Sequence, residues 1–188
     1  MSKTALLVLD CQNDLLKEDG KAVGFGIAAH AKEVGTVANI ANALEKARDA
    51  GVDVIYVTVS FNDDDLKKSK TPMHKSMIGG TVLEPASKGA EIVDEIKPKG
   101  EKVFNKTMIS PFTIPEFVKE IAKYDKLLLA GVATNFVVES TAREAADRCK
   151  EVVILKDCCA SMNNELHEMC LQVLSNLATV ITSEELEL

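Results

Sequence analysis

The chain has 188 residues, 46% of them hydrophobic and 27% charged, the balance of an ordinary folded globular protein. Its formal net charge of −7 argues against nucleic acid or an anionic membrane as the main partner and leaves small molecules open. With no Trp and only six Phe, the core has to be filled by aliphatic side chains.

Residues 1–188 are expected to form a single domain, since a chain of this length can bury about 70% of the surface it would expose unfolded. Ala5-Leu6-Leu7-Val8-Leu9 is continuously apolar, as in a strand buried on both faces. That run is too short to span a membrane and no signal-cleavage pattern follows it, so a cytoplasmic location is expected. Val34, Val37, Ala41, Leu44 and Ala47 recur at helical spacing, with Gly51 as the stop. Residues 52–59 form a second strand rich in β-branched side chains.

Residues 60–90 are the least regular stretch and are expected to form a long loop, as lids and interface arms often do. A helix is predicted over 90–96, and Val103-Phe104 opens a third strand. Thr113-Ile114-Pro115-Glu116 has the form of a capping box opening a helix to about Lys123. A strand over 126–131, a helix over 138–148 and a strand over 151–155 follow. Asn163 or Asn164 then caps a helix whose buried face is predicted as Leu166, Cys170, Val173 and Leu177. A last strand covers 178–181. About six strands alternating with helices indicate a parallel sheet covered on both faces, with ligands bound beyond the carboxyl ends of the strands.

Three strand ends there carry polar or glycine residues: Asp10, Asn105-Lys106, and Gly131 to Asn135. A carboxylate leaving a buried strand is desolvated and suited to proton transfer, or it merely caps a turn. The turn after Gly131 opens a helix, whose free N–H groups could hold an oxyanion, although any strand-to-helix connection has this form. The five cysteines, Cys11, Cys149, Cys158, Cys159 and Cys170, are odd in number and lack framework spacing, which indicates reduced thiols.

Four segments taken together resemble the isochorismatase-like (cysteine hydrolase) family. They are Ala5 to Leu15, Lys106-Thr107 with Ser110 and Phe112, Gly131 to Arg143, and Asp157-Cys158-Cys159-Ala160-Ser161. The resemblance implies a three-layer α/β/α domain around a six-stranded parallel sheet, assembled as a homo-oligomer. It also implies a catalytic Asp, Lys and Cys. Asp10 matches the base and Lys106 its cationic partner, while the position of the nucleophilic Cys is held by Val137. An oxyanion hole at the Ala133 and Val137 N–H groups is implied, with a non-proline cis peptide before Ala133. Gln12, Ala133, Thr134 and Phe112 are the expected binding residues.

Valine cannot act as a nucleophile. Cys11 adjoins Asp10 on a strand and should face the other way, and Cys149 lies about 18 Å along a helix from position 137. Cys158 and Cys159 sit at the correct sheet edge and are the nearest candidates for rescue. No metal site and no cofactor are expected: the stretch after the second strand has an Asp63-Asp64-Asp65 run but no histidine, a poor zinc site. A solvated acidic loop is the simpler reading, with weak binding of a hard cation as the other. Of His30, His74 and His167, only His74, beside the expected lid, is singled out for ligand contact.

Some members of this family cleave a vinyl ether through an acidic residue and water, without the cysteine. The sequence therefore predicts a hydrolase-like protein acting on or binding a small molecule, any hydrolysis being water-mediated through Asp10 and Lys106. The alternative is a catalytically silent member, a ligand-binding or oligomeric interaction protein on the same fold.

Overall fold

A computed structural model describes residues 3–188. The sheet strands are β1 (Thr4–Leu9), β2 (Asp53–Val59), β3 (Lys102–Lys106), β4 (Lys126–Val132), β5 (Glu151–Ala160) and β6 (Thr179–Ile181). The helices are α1 (Asn13–Leu16), α2 (Ile27–Val34), α3 (Thr36–Asp49), α4 (Asp63–Lys68), α5 (Pro72–Ser76), α6 (Pro115–Ile121), α7 (Glu139–Ala146) and α8 (Asn164–Leu174). The strand order is β3-β2-β1-β4-β5-β6 and every pairing is parallel. The chain winds outward from β1 in one direction and from β4 in the other, so the order reverses between these two central strands.

Alternation along the central strands divides the core into two layers. Leu6 and Val8 of β1 join Leu128, Ala130 and Val132 of β4 under Ile40, Ala43, Leu44 and Ala47 of α3. Ala5, Leu7 and Leu9 join Leu127 and Leu129 under side chains of α6, α7 and α8. A two-residue side-chain period and two buried faces require the unbroken apolar runs seen in both strands. The layers are those of an α/β/α domain.

Four local expectations are corrected. The Thr113 capping box does not form: Ser110 instead accepts the Phe112 N–H in a tight turn over Pro111–Thr113, and α6 starts at Pro115 behind Ile114. The predicted helix over 90–96 is an isolated bridge from Ile92 to Gln12 followed by one 3-10 turn, Asp94–Ile96. Residues 60–90 hold α4 and α5 rather than loop alone. The Asp63-Asp64-Asp65 run is the first turn of α4, where acidic side chains face the positive end of the helix dipole, and Asn62 and Asp65 form a capping box. Finally, α8 buries His167, Cys170, Leu171 and Leu174, leaving Leu166, Val173 and Leu177 exposed beside Met169. Two apolar stripes interleave on this helix, so periodicity alone selects neither.

Candidate active site

Gly131 lets β4 pass close beside the end of β1. Its φ is +131°, and a Cβ there would overlap the Leu9 carbonyl oxygen. Only glycine fits such a position. The Val132–Ala133 peptide that follows is cis. The chain then turns through one π-helical turn, Thr134–Val138, into α7. On the other side of the switch point, Asp10 leaves β1 with φ +53° and its N–H bonded to Val57 O at 2.9 Å.

These strand ends floor a cavity of about 250 Å³. Asp10, Lys106, Ala133 and Val137 all line it. Lys106 Nζ donates to Asp10 Oδ2 at 2.7 Å, with both side chains buried. The other oxygen, Asp10 Oδ1, is buried without a protein hydrogen bond. Burial raises the Asp10 pKa above the usual carboxylate value, and the Lys106 ammonium opposes that rise. The site thus holds a fixed ion pair and one carboxylate oxygen free to accept a proton.

His74 on α5 also lines the cavity, with Nδ1 2.7 Å from Ser69 Oγ. Burial and the nearby Lys106 lower its pKa, so its ring is neutral at neutral pH. The rest of the wall is apolar, including Phe61, Met73, Met77, Met108 and Met162. The four methionines lie in stretches without strong periodicity, and among these wall residues the sequence pointed only to His74.

The other expected binding residues are elsewhere. Gln12 is buried as a structural strut: its amide donates to Val59 O and Ala90 O and accepts the Val59 N–H. Thr134 faces away, its Oγ1 2.9 Å from His167 Nδ1. Phe112 packs edge-to-face on Phe117 beneath the Arg148 guanidinium. None of the three lines the cavity.

No cysteine among the described residues lines it either. Cys11 and Cys158 lie in one core layer, Cys159 and Cys170 in the other, and Cys149 is exposed. Burial pushes the four interior thiols up, Cys170 to about 12, so none is a thiolate at neutral pH. Cys158 and Cys159 therefore do not supply a nucleophile in this arrangement.

Comparison with known proteins identifies the family and the fold. The isochorismatase domain family matches residues 4–185. Ureidoacrylate amidohydrolase RutB of Rhizobium rhizogenes is 35% identical over 162 residues, 77% of this chain and 65% of that protein. The RutB of Agrobacterium fabrum is 34% identical over 77% of this chain and 70% of its own. The chain thus spans just under two thirds of the Rhizobium relative. Among solved structures, an isochorismatase family protein of Desulfovibrio vulgaris superposes with a TM-score of 0.85 at 28% identity, covering 98% of this chain and 96% of that one. N-carbamoylsarcosine amidase of Thermoplasma acidophilum gives 0.76 at 26% identity, over 98% and 99%. No helix among the described residues is long and apolar enough to cross a membrane.

Proposed function

The chain belongs to the isochorismatase family, and on that premise we propose that it is a hydrolase of small amides that works without a thiol. Water is the nucleophile and Asp10 the base that removes its proton. Lys106 holds the carboxylate in place and offsets its charge. The proton taken up by Asp10 then passes to the leaving nitrogen as the C–N bond breaks, so the carboxylate is regenerated. Val137 occupies the place of the family's nucleophilic cysteine, and N–H groups of the turn 133–137 face the developing oxyanion.

The observation that carries this reading is Asp10 Oδ1, a buried acceptor with no protein partner at the floor of a cavity. Buried polar atoms are almost always satisfied, so this one calls for a partner that arrives with the ligand. The raised pKa suits a general base better than an ordinary surface carboxylate would. The amide class follows from the relatives, which are named as an amidohydrolase and an amidase.

Ammonia release from a panel of ureido acids, carbamoyl amides and nicotinamide tests it. Wild type should turn over at least one amide, and Asp10→Asn should lower that rate by about 100-fold or more. Undiminished activity in Asp10→Asn would end the proposal. A second reading, a silent binder, is favoured by Val137, an apolar side chain buried where attack would begin. Turnover by Val137→Cys alone would select that reading.

The proposal places the protein in the cytoplasm as one domain and as a homo-oligomer. The exposed apolar row Leu166, Met169 and Val173 on α8, continued by Leu177 in the turn after it, is consistent with self-association. A monomer in sedimentation at micromolar concentration would remove that part.

A further inference from the structure

We propose that the ligand of this cavity is an uncharged molecule with one small polar head and an aliphatic remainder, and that His74 is a hydrogen-bonding residue for it. The inference rests on the reading above only in placing the polar head over Asp10 and Lys106.

Charge at the floor is already balanced. Among the described residues Lys106 is the one permanent cation lining the cavity, and its Nζ is committed to Asp10 Oδ2 at 2.7 Å. A ligand carboxylate lying along the wall away from that floor would meet side chains such as Met73, Met77 and Met108 and, among the described residues, no further cationic side chain. Burying a charge without a partner is costly, whereas thioether and aliphatic surfaces adapt closely to an alkyl chain. A ureidoacrylate carries such a carboxylate, and the described lining offers it at most a hydrogen bond from neutral His74 and no second cation. The chain therefore differs from its amidohydrolase relatives in what it accepts.

His74 supplies the remaining polar contact. Its Nδ1 is engaged by Ser69 Oγ at 2.7 Å, which leaves Nε2 as the ring nitrogen available to a ligand. Burial and Lys106 keep the ring neutral, so it offers a hydrogen bond rather than a charge. The cavity volume of about 250 Å³ lies at the small end for ligand sites and limits the aliphatic part to a short chain.

The test compares hexanamide, the monoamide of adipic acid and ureidoacrylate by ligand-observed NMR and calorimetry with the wild-type protein, using KM where turnover occurs. Hexanamide should bind about 30-fold more tightly than either carboxylate. Met77→Arg, which places a cation in the wall, should improve adipic monoamide binding about tenfold. His74→Ala should weaken hexanamide about fivefold, and His74→Gln should restore most of it. Circular dichroism of each variant separates lost binding from lost folding.

Equal or tighter binding of a carboxylate to wild type would overturn the inference. So would the absence of hexanamide binding in the millimolar range. Hexanamide binding, with no turnover of hexanamide or of any amide in the panel above, would leave the inference standing while the hydrolase reading fell. Asp10-dependent turnover of ureidoacrylate would do the reverse.

Discussion

Lys106 reaches Asp10 across an intervening strand. Lys106 ends β3, Asp10 follows β1, and β2 lies between them, yet Nζ and Oδ2 are 2.7 Å apart. The two backbones are separated by two strand spacings, about 10 Å, so the extended lysine side chain roofs the end of β2.

Removing the cation should leave a buried carboxylate unpaired. Lys106→Met is expected to lower stability by about 3 kcal/mol, and adding Asp10→Asn should recover much of that. Urea unfolding followed by far-UV circular dichroism measures the cycle, since the chain has no Trp to report. A coupling within about 0.5 kcal/mol of zero would mean that solvent screens the pair.

Gln12 ties the end of β2 to residue 90 through three hydrogen bonds of 2.8–2.9 Å. Gln12→Leu leaves Val59 N–H, Val59 O and Ala90 O in search of partners, and a loss of about 3 kcal/mol is expected. Hydrogen exchange should show the largest loss of protection at Val59 and in the segment around Ala90.

Gly131→Ala should abolish folding. The added methyl would meet backbone atoms of Leu9, which cannot yield as a flexible side chain could, and the φ of +131° is closed to alanine. Soluble protein with a native circular dichroism spectrum would refute the packing described for the switch point.

Alkylation should count thiols. Iodoacetamide at mildly alkaline pH is expected to modify Cys149 alone in the native protein and all five cysteines in denaturant. Mass spectrometry reads the number directly. A second native adduct that an amide ligand blocks would show a thiol open to the cavity and revive covalent chemistry.

Acid should weaken the fold before the exposed carboxylates titrate. His74 and His167 both sit below the ordinary histidine value of 6.5. Burial is the main cause for each, joined by Lys106 for His74 and by His30 and Lys156, against Glu168, for His167. Their depressed values mean the unfolded chain takes up protons first. Stability is therefore full above about 6.5 and falls as pH drops toward the folded-state values, by at most about 1.4 kcal/mol per pH unit for each ring. Equilibrium unfolding between about pH 7 and 5 measures this slope, and His167→Gln should flatten it.

The sheet was legible in the sequence because β1 and β4 are buried on both faces and read as unbroken apolar runs. Asp10 was legible as the polar residue closing such a run, and Lys106 as a polar residue at the end of the short edge strand β3. The cavity wall was not. It comes from the short helices α1 and α5, the first residue of α2 and connecting segments, stretches too short to show a period, and their contacts are set by distant parts of the chain. Gln12 and Thr134 looked like ligand contacts because they neighbour the chemistry in sequence. Their side chains in fact satisfy backbone and histidine partners behind it. Only the α8 stripe was misassigned where the pattern was strong, because both of its faces are apolar.

The wall of the cavity has a small core of its own. Val59, Phe61, Leu66 and Leu83 pack together with Leu15, Met77 and Val82, joined through Leu15 to one of the two layers that bury the sheet, and Asp14 accepts the Leu83 N–H at 2.7 Å to moor it. A cluster of this size holds far less free energy than the layers beside the sheet, so it can open while they stay closed. Ligand exchange is then timed by this one patch rather than by the stability of the whole molecule. It also frees the two halves of the site to change separately. Substitutions at Met77 or Val82 can retune what is admitted without disturbing the strand ends, where any change is felt by the entire sheet.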